Sequence, residues 1–216
     1  WFADTEERAA LNTEIESPLL QALYALPAPD AKIRPRTLAA MLIEAYAEAE
    51  NERSLATELP SLGVLTDATS SVVAAQYEDN PYPRWQRLTR PRPGAFVQDM
   101  ARFVGTTSQR RPEILIAGCG TGQQAIAAKL GYGKDARITA LDLSRASLAY
   151  GARRARDYGI DHIRFVHGDI LEAAKLGRHF SIIECVGVLH HMANPMAGWR
   201  ALVDCLEPNG AMLIGL

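Results

Sequence analysis

Cysteine is scarce in this chain of 216 residues: Cys119, Cys185 and Cys205 make three, an odd number with no Cys-x-x-Cys spacing. That excludes a disulfide framework and a structural zinc knuckle, and it implies a reducing, cytoplasmic compartment. An excess of charge is also missing, with 23 Lys and Arg against 25 Asp and Glu and a net charge of −2. Nothing global therefore favours nucleic acid or an anionic membrane surface. No apolar run approaches the roughly 20 residues that a bilayer span needs. His162, His167 and His179 stand isolated in polar contexts, without metal-ligand spacing. The chain lacks an initiating methionine, opening on Trp1 in an acidic stretch and stopping at Leu216 within an apolar run. It reads as an interior piece of a longer protein.

What is present is ordinary globular material, 48% hydrophobic and 22% charged, enough for one α/β core with a helical region beside it. Residues 1–76 read as helical, with Leu38, Met41, Leu42, Ala45, Tyr46 and Ala49 at helical spacing. Pro27-Ala-Pro29 breaks this part into pieces, and Thr66 or Asp67 caps a short helix before Tyr77. Residues 77–112 form a linker or lid segment and a helix. The stretch Asn80-Pro-Tyr-Pro-Arg-Trp85 is stiffened by its prolines into an extended path carrying aromatics and arginines. An amphipathic helix with Phe96, Val97, Met100, Phe103 and Val104 on one face follows.

From residue 113 strand and helix alternate, the pattern of βαβ units on one parallel sheet. Strands are predicted at 114–118, 136–142, 162–166, 180–186 and 211–216. Helices are predicted after Gly122, after the Ser144 cap, and after Asn194-Pro195; the last carries Met196, Trp199, Leu202, Val203 and Leu206 inward. The fold class is α/β, a Rossmann-like core at 113–216 preceded by a helical region. The first strand, Ile114-Leu-Ile-Ala, runs into Gly118-Cys-Gly-Thr-Gly122. Glycines there leave no Cβ atoms in the turn, so a ligand can lie on the backbone at a helix N-terminus.

The Gly-x-Gly-x-Gly spacing resembles the first motif of class I S-adenosylmethionine (SAM) methyltransferases, and the resemblance runs from about residue 113 to 216. A nicotinamide loop wants its third glycine at 123, where this chain has Gln123. The resemblance implies SAM as cofactor, held by Gly118, Cys119, Gly120, Thr121 and Gly122. It also implies that Asp142 and Leu143 hold the ribose end, and Asp169 and Ile170 the adenine. Val188-Leu-His-His-Met192 and Pro208-Asn-Gly210 are similar to segments that follow the fourth strand and precede the fifth in small-molecule methyltransferases. The family's last two strands would lie past Leu216. Asn80-Pro-Tyr-Pro-Arg-Trp85 is similar to a segment of bacterial members that carry tetratricopeptide-like repeats upstream.

Two departures stand out. The family places Asp or Glu two residues before the first glycine to help hold the methionine ammonium, and this chain has Ile116. Its fourth strand starts Phe180-Ser181 where Phe-Asp is common. Glu184, or a residue of the 77–85 segment, is the substitute grip for the ammonium.

The expected reaction is methyl transfer to an N or O acceptor on a small molecule or a protein side chain. His190 or His191 is the candidate base, and Tyr82 a candidate contact to the acceptor or to the SAM carboxylate. In an extended backbone the two histidines point to opposite sides, so at most one faces the methyl. Arg84 is the candidate carboxylate clamp, and Cys119 a small side chain tucked under its loop. Arg153, Arg154 and Arg156 read as the solvated face of an outer helix. The competing readings are a non-catalytic module of the same fold, whose helical region recruits a protein partner, and a nicotinamide-dependent oxidoreductase. A DNA amino-methyltransferase would carry Asn/Asp-Pro-Pro-aromatic after strand four, where this chain reads Glu184-Cys-Val-Gly.

Overall fold

The computed structural model of the protein describes residues 35–88, 90–92, 94–96 and 111–216. The helices expected within 1–34 and the Val97–Val104 face lie outside the described residues. The chain divides into two compact units, residues 1–53 and 54–216. In the first, the described part belongs to a helix, α1, which runs Pro35–Glu58.

The second unit is built on five parallel strands: β1 Glu113–Ala117, β2 Arg137–Asp142, β3 Ile163–His167, β4 Phe180–Val186 and β5 Leu206–Gly215. Their order across the sheet is β3-β2-β1-β4-β5. The chain winds outward from β1 to β3, then returns to the other side of β1 for β4. The carboxyl ends of β1 and β4 therefore flank the switch point, where open α/β sheets bind ligands. Ile114, Leu115 and Ile116 of β1 are wholly buried because helices cover both faces of the strand.

The helices are α2 (Ala68–Asp79), α3 (Gln123–Tyr132), α4 (Arg145–Asp157) and α5 (Pro195–Val203). Three of them have the side-chain caps their sequences promise. The Asp67 carboxylate accepts from Ser70 N, the Ser144 hydroxyl from Ser147 N and the Asn194 amide oxygen from Ala197 N. Gly159, with φ of 64°, closes the turn after α4.

Three expectations are corrected. On α5 only Leu202 is buried among the residues expected to face inward; Met196, Trp199 and Val203 are 53%, 41% and 49% exposed. The helical period identifies an apolar face, but no described element packs over this one. Leu206 belongs to β5, which starts before Pro208-Asn-Gly210 rather than after it. Phe180 pairs with Leu206 while Ile182 pairs with Ala211, so the proline turn is a bulge inside the strand. Arg153 and Arg154 are not a solvated face. Arg153 is buried over the Tyr150 ring and pairs with Asp157 at 2.8 Å, and Arg154 lies over the rings of Trp85 and Tyr158. Their guanidinium groups lie over the aromatic faces, where a cation is attracted by the ring electrons. Arg156 is exposed, as expected.

Candidate functional site

The glycine loop follows β1 directly. Gly118 sits at φ of 72°, and a Cβ there would collide with the Val188 side chain. Gly122, at φ of 79°, would place a Cβ 2.9 Å from Gly151 Cα. These two glycines let the loop pack against the rest of the protein. Gly120 is the one of the three that leaves open space, since a Cβ built on it meets only the Tyr82 carbonyl oxygen, at 3.8 Å. The ligand cradle expected from three glycines is thus centred on one.

Asp142, the last residue of β2, turns back to this loop. One carboxylate oxygen accepts from Gly120 N at 2.7 Å and the other from Ser144 N at 3.0 Å. Burial pushes its carboxyl above the ordinary value of 3.8; the backbone donors, Ser144 first, work in the opposite direction. Asp169, after β3, is buried and accepts from Leu171 N at 2.9 Å, capping a 3₁₀ turn over Ile170–Leu176. Ile170 is buried beside it, and Leu143 is partly exposed next to Asp142. The sheet register pairs Asp142 with His167, which brings the ends of β2 and β3 together.

Within the loop, Thr121 is 2% exposed and its hydroxyl donates to Pro83 O at 2.6 Å, so its side chain serves the neighbouring segment. Cys119 is buried, and burial, aided by Asp142, raises its thiol well above its usual range. It packs beneath the loop in its neutral form. Glu184, on β4, is 4% exposed; its carboxylate accepts from the Gln124 amide and the Tyr132 hydroxyl, each at 2.8 Å.

The segment read as a lid is docked against the glycine loop. Besides the Thr121 bond, Trp85 Nε1 donates to Thr121 O at 3.0 Å, Tyr150 donates its hydroxyl to Trp85 O, and Arg154 donates to Gln86 O at 2.8 Å. Trp85 is only 7% exposed and stacks on Tyr158. The indole anchors the segment beside the loop. Arg84 lies over the Tyr150 ring, with 4.7 Å to its centroid. Tyr82, by contrast, is 70% exposed, and its carbonyl lies beside the open glycine.

His190 and His191 lie in a 3₁₀ turn, Leu189–His191, just past β4. This corrects the expectation that they diverge: their ring centroids are 4.0 Å apart and both are exposed. An extended backbone alternates its side chains, whereas a tight turn gathers consecutive ones. Ser181, the second departure, is buried at the amino end of β4 and donates to Glu113 O at 3.0 Å. It ties β4 to β1 at the sheet end away from the site.

Two contributors carried no local signal in the sequence. Glu78, at the end of α2, accepts from Ser144 Oγ at 3.0 Å and Ala146 N at 3.1 Å, and so covers the start of α4 beside Asp142. His167 is not isolated either. Its Nδ1 lies 2.9 Å from Ser61 Oγ, where Pro60–Leu62 run parallel to β3. Burial lowers its basicity, reinforced by Arg145 nearby.

Residues 114–210 match the sequence profile of a methyltransferase domain. An uncharacterized protein of Synechococcus sp. is 35% identical over 163 residues, 69% of this chain and 37% of that protein. The chain thus spans well under half the length of this curated relative. Among solved structures, magnesium protoporphyrin IX methyltransferase from Synechocystis, with bound SAM, aligns at a TM-score of 0.49 and 18% identity. That alignment covers 67% of this chain and 75% of the enzyme. The Rickettsia typhi protein PKMT2, in complex with AdoHcy, aligns at 0.47 and 21% identity, over 55% of this chain and 24% of that one. Structural likeness at this level adds nothing to the assignment, which rests on the domain match together with the loop and strand order described above. Residues 114–210 are thus a methyltransferase domain, carried on a Rossmann-like parallel sheet.

Proposed function

We propose that the protein transfers the methyl group of SAM to a nitrogen or oxygen acceptor on a small molecule or a protein side chain. One observation carries this reading: the open cradle at Gly120 and the Asp142 carboxylate are joined by a hydrogen bond at the switch point of the sheet. A nucleoside fits there. Gly120 admits the ligand to the backbone, and Asp142 supplies acceptor oxygens for the two ribose hydroxyls. Asp169 is the acceptor for an adenine amino group, and Leu143 and Ile170 supply apolar surface for the ring.

When bound, the sulfonium supplies an already activated methyl group, so the chain's own task is alignment and exclusion of water. The docked 77–88 segment walls one side of the site and presents Tyr82 to it as a contact for the acceptor. The turn after β4 presents His190 and His191. One of them takes the proton that an amine or hydroxyl acceptor sheds, and the other, 4.0 Å away, shapes the approach. Three buried thiols fit a reducing, cytoplasmic setting.

Calorimetric titration with SAM, S-adenosylhomocysteine and NAD tests the reading, with Asp142→Ala as control. Binding of SAM and S-adenosylhomocysteine in the micromolar range, lost in the variant, supports it. Binding of NAD alone sinks it.

A further inference from the structure

Arginine is concentrated in this chain where acid is absent. Arg84, Arg87, Arg90 and Arg92 follow one another, and no Asp or Glu occurs from Asn80 to Gln98. All of these arginines are exposed, in a chain whose net charge is −2.

The tertiary structure gathers them round a group of aromatic rings. Arg84 lies over the Tyr150 ring, and Arg90 over the Tyr158 ring with 5.7 Å to its centroid. Arg154, from α4, lies over Trp85 and Tyr158, and Trp85 contacts both tyrosine rings. The acid on this surface, Asp157, pairs with Arg153 and Arg154. Among the described residues no carboxylate pairs with Arg87, Arg90 or Arg92. A guanidinium set on a ring is already ordered and only weakly hydrated, so taking up a carboxylate costs it little.

The geometry points to a docking surface for an acidic stretch of polypeptide, running from the mouth of the site to the end of α4. A Cβ on the open Gly120 would meet only the Tyr82 carbonyl, and Gln123, the first residue of α3, donates to Arg87 O at 3.5 Å. A peptide lying along this segment has one end beside the glycine loop and the other near Tyr158. From Arg84 to Arg90 an extended chain reaches at most about 20 Å, so an acidic run of about six residues is long enough.

Nucleic acid is the poorer fit. Single strands stack their bases on open aromatic faces, whereas here arginines lie over the rings and Trp85 and Tyr150 are only 7% and 1% exposed. The negative net charge of the chain also repels a long polyanion beyond the arginines.

Fluorescence anisotropy of labelled octaglutamate, titrated with the full chain at low salt, tests the inference. Wild-type protein is expected to bind it, and Arg87→Ser/Arg90→Ser/Arg92→Ser to bind at least tenfold more weakly. Arg137→Ser/Arg164→Ser/Arg178→Ser removes the same charge near the amino ends of the strands and should leave the affinity unchanged. No binding by the wild type, or an equal loss in both variants, overturns the docking surface. Tighter binding of an oligothymidine of matched charge also overturns it and assigns the surface to nucleic acid. Affinity for S-adenosylhomocysteine, measured on the same proteins, should not change, which shows that the fold and the neighbouring site are intact. If the first variant fails to fold, Arg87→Glu/Arg92→Glu keeps the described ring contacts and is expected to lose octaglutamate in the same way. Unchanged octaglutamate affinity in that variant then overturns the inference.

Discussion

Asp142 gathers more of the site than any other single side chain, since its two oxygens bridge the end of β2, the glycine loop and the start of α4. Its carboxyl is held above 3.8 by burial, so it takes up a proton at a higher pH than an exposed aspartate does. A protonated carboxyl loses acceptor capacity, which makes the expected pH effect on ligand binding definite in sign. Affinity for S-adenosylhomocysteine should weaken on acidification, with a midpoint above 3.8, in a calorimetric pH series. In Asp142→Asn that pH dependence should disappear, on top of a loss of tenfold or more at neutral pH. The cysteines titrate in the unreactive direction. Burial raises all three thiols, Cys185 to about 11. Native protein at pH 8 should therefore react negligibly with a thiol reagent, and denatured protein should release three equivalents.

At the scale of elements, the strut from Tyr77 to Leu88 and the glycine loop behave as one unit. Trp85 Nε1 donates to Thr121 O and the Thr121 hydroxyl donates to Pro83 O, across 36 and 38 positions of sequence. Trp85→Ala removes a nearly buried indole and its bond, a loss of about 3–5 kcal/mol by the usual cost of truncating a core aromatic. Denaturant unfolding measures it, and ligand affinity should drop with stability because the loop is left unsupported. The bridge from Pro60–Leu62 to β3 is pH-sensitive through His167. Its ring is less basic than an ordinary histidine, so the folded state favours the neutral form. Stability from this contact is full above the unfolded-state value near 6.5 and is lost as pH falls from there toward the lowered folded value. Urea midpoints between pH 7 and 5 should decline, and less steeply in His167→Gln.

For the whole molecule, the largest expected effect is ligand-linked. A nucleoside bridging β1, β2 and β3 binds the folded state alone, so about 100 times its Kd stabilises by about 2.7 kcal/mol. For a chain of this size that corresponds to a rise in Tm of about 5–10 °C. A thermal melt with S-adenosylhomocysteine checks it, and Asp142→Ala should show no rise. The same scale explains what was legible beforehand. The strand positions and the carboxyl-end placement of Gly118–Gly122, Asp142 and Asp169 were readable because buried parallel strands are continuous apolar runs that break at glycine or acid. The inward face of α5 was misjudged because periodicity shows that a face is apolar, not that something covers it. The close approach of His190 and His191 escaped because the backbone conformation of a short loop leaves no periodic trace. Glu78, Ser61 and Tyr132 escaped because each meets its partner across more than 50 residues.

Local chemistry in the chain by itself determined the βαβ alternation, the helix caps at Asp67, Ser144 and Asn194, and the nucleotide-type loop. Each depends on residues within a few positions of one another, where propensity and hydrogen bonding act directly. Tertiary structure alone decided which glycine is open to a ligand and that the proline-rich segment is an anchored wall. Those outcomes depend on which distant surfaces meet, and the closing of long loops brings together groups that no spacing in the sequence relates.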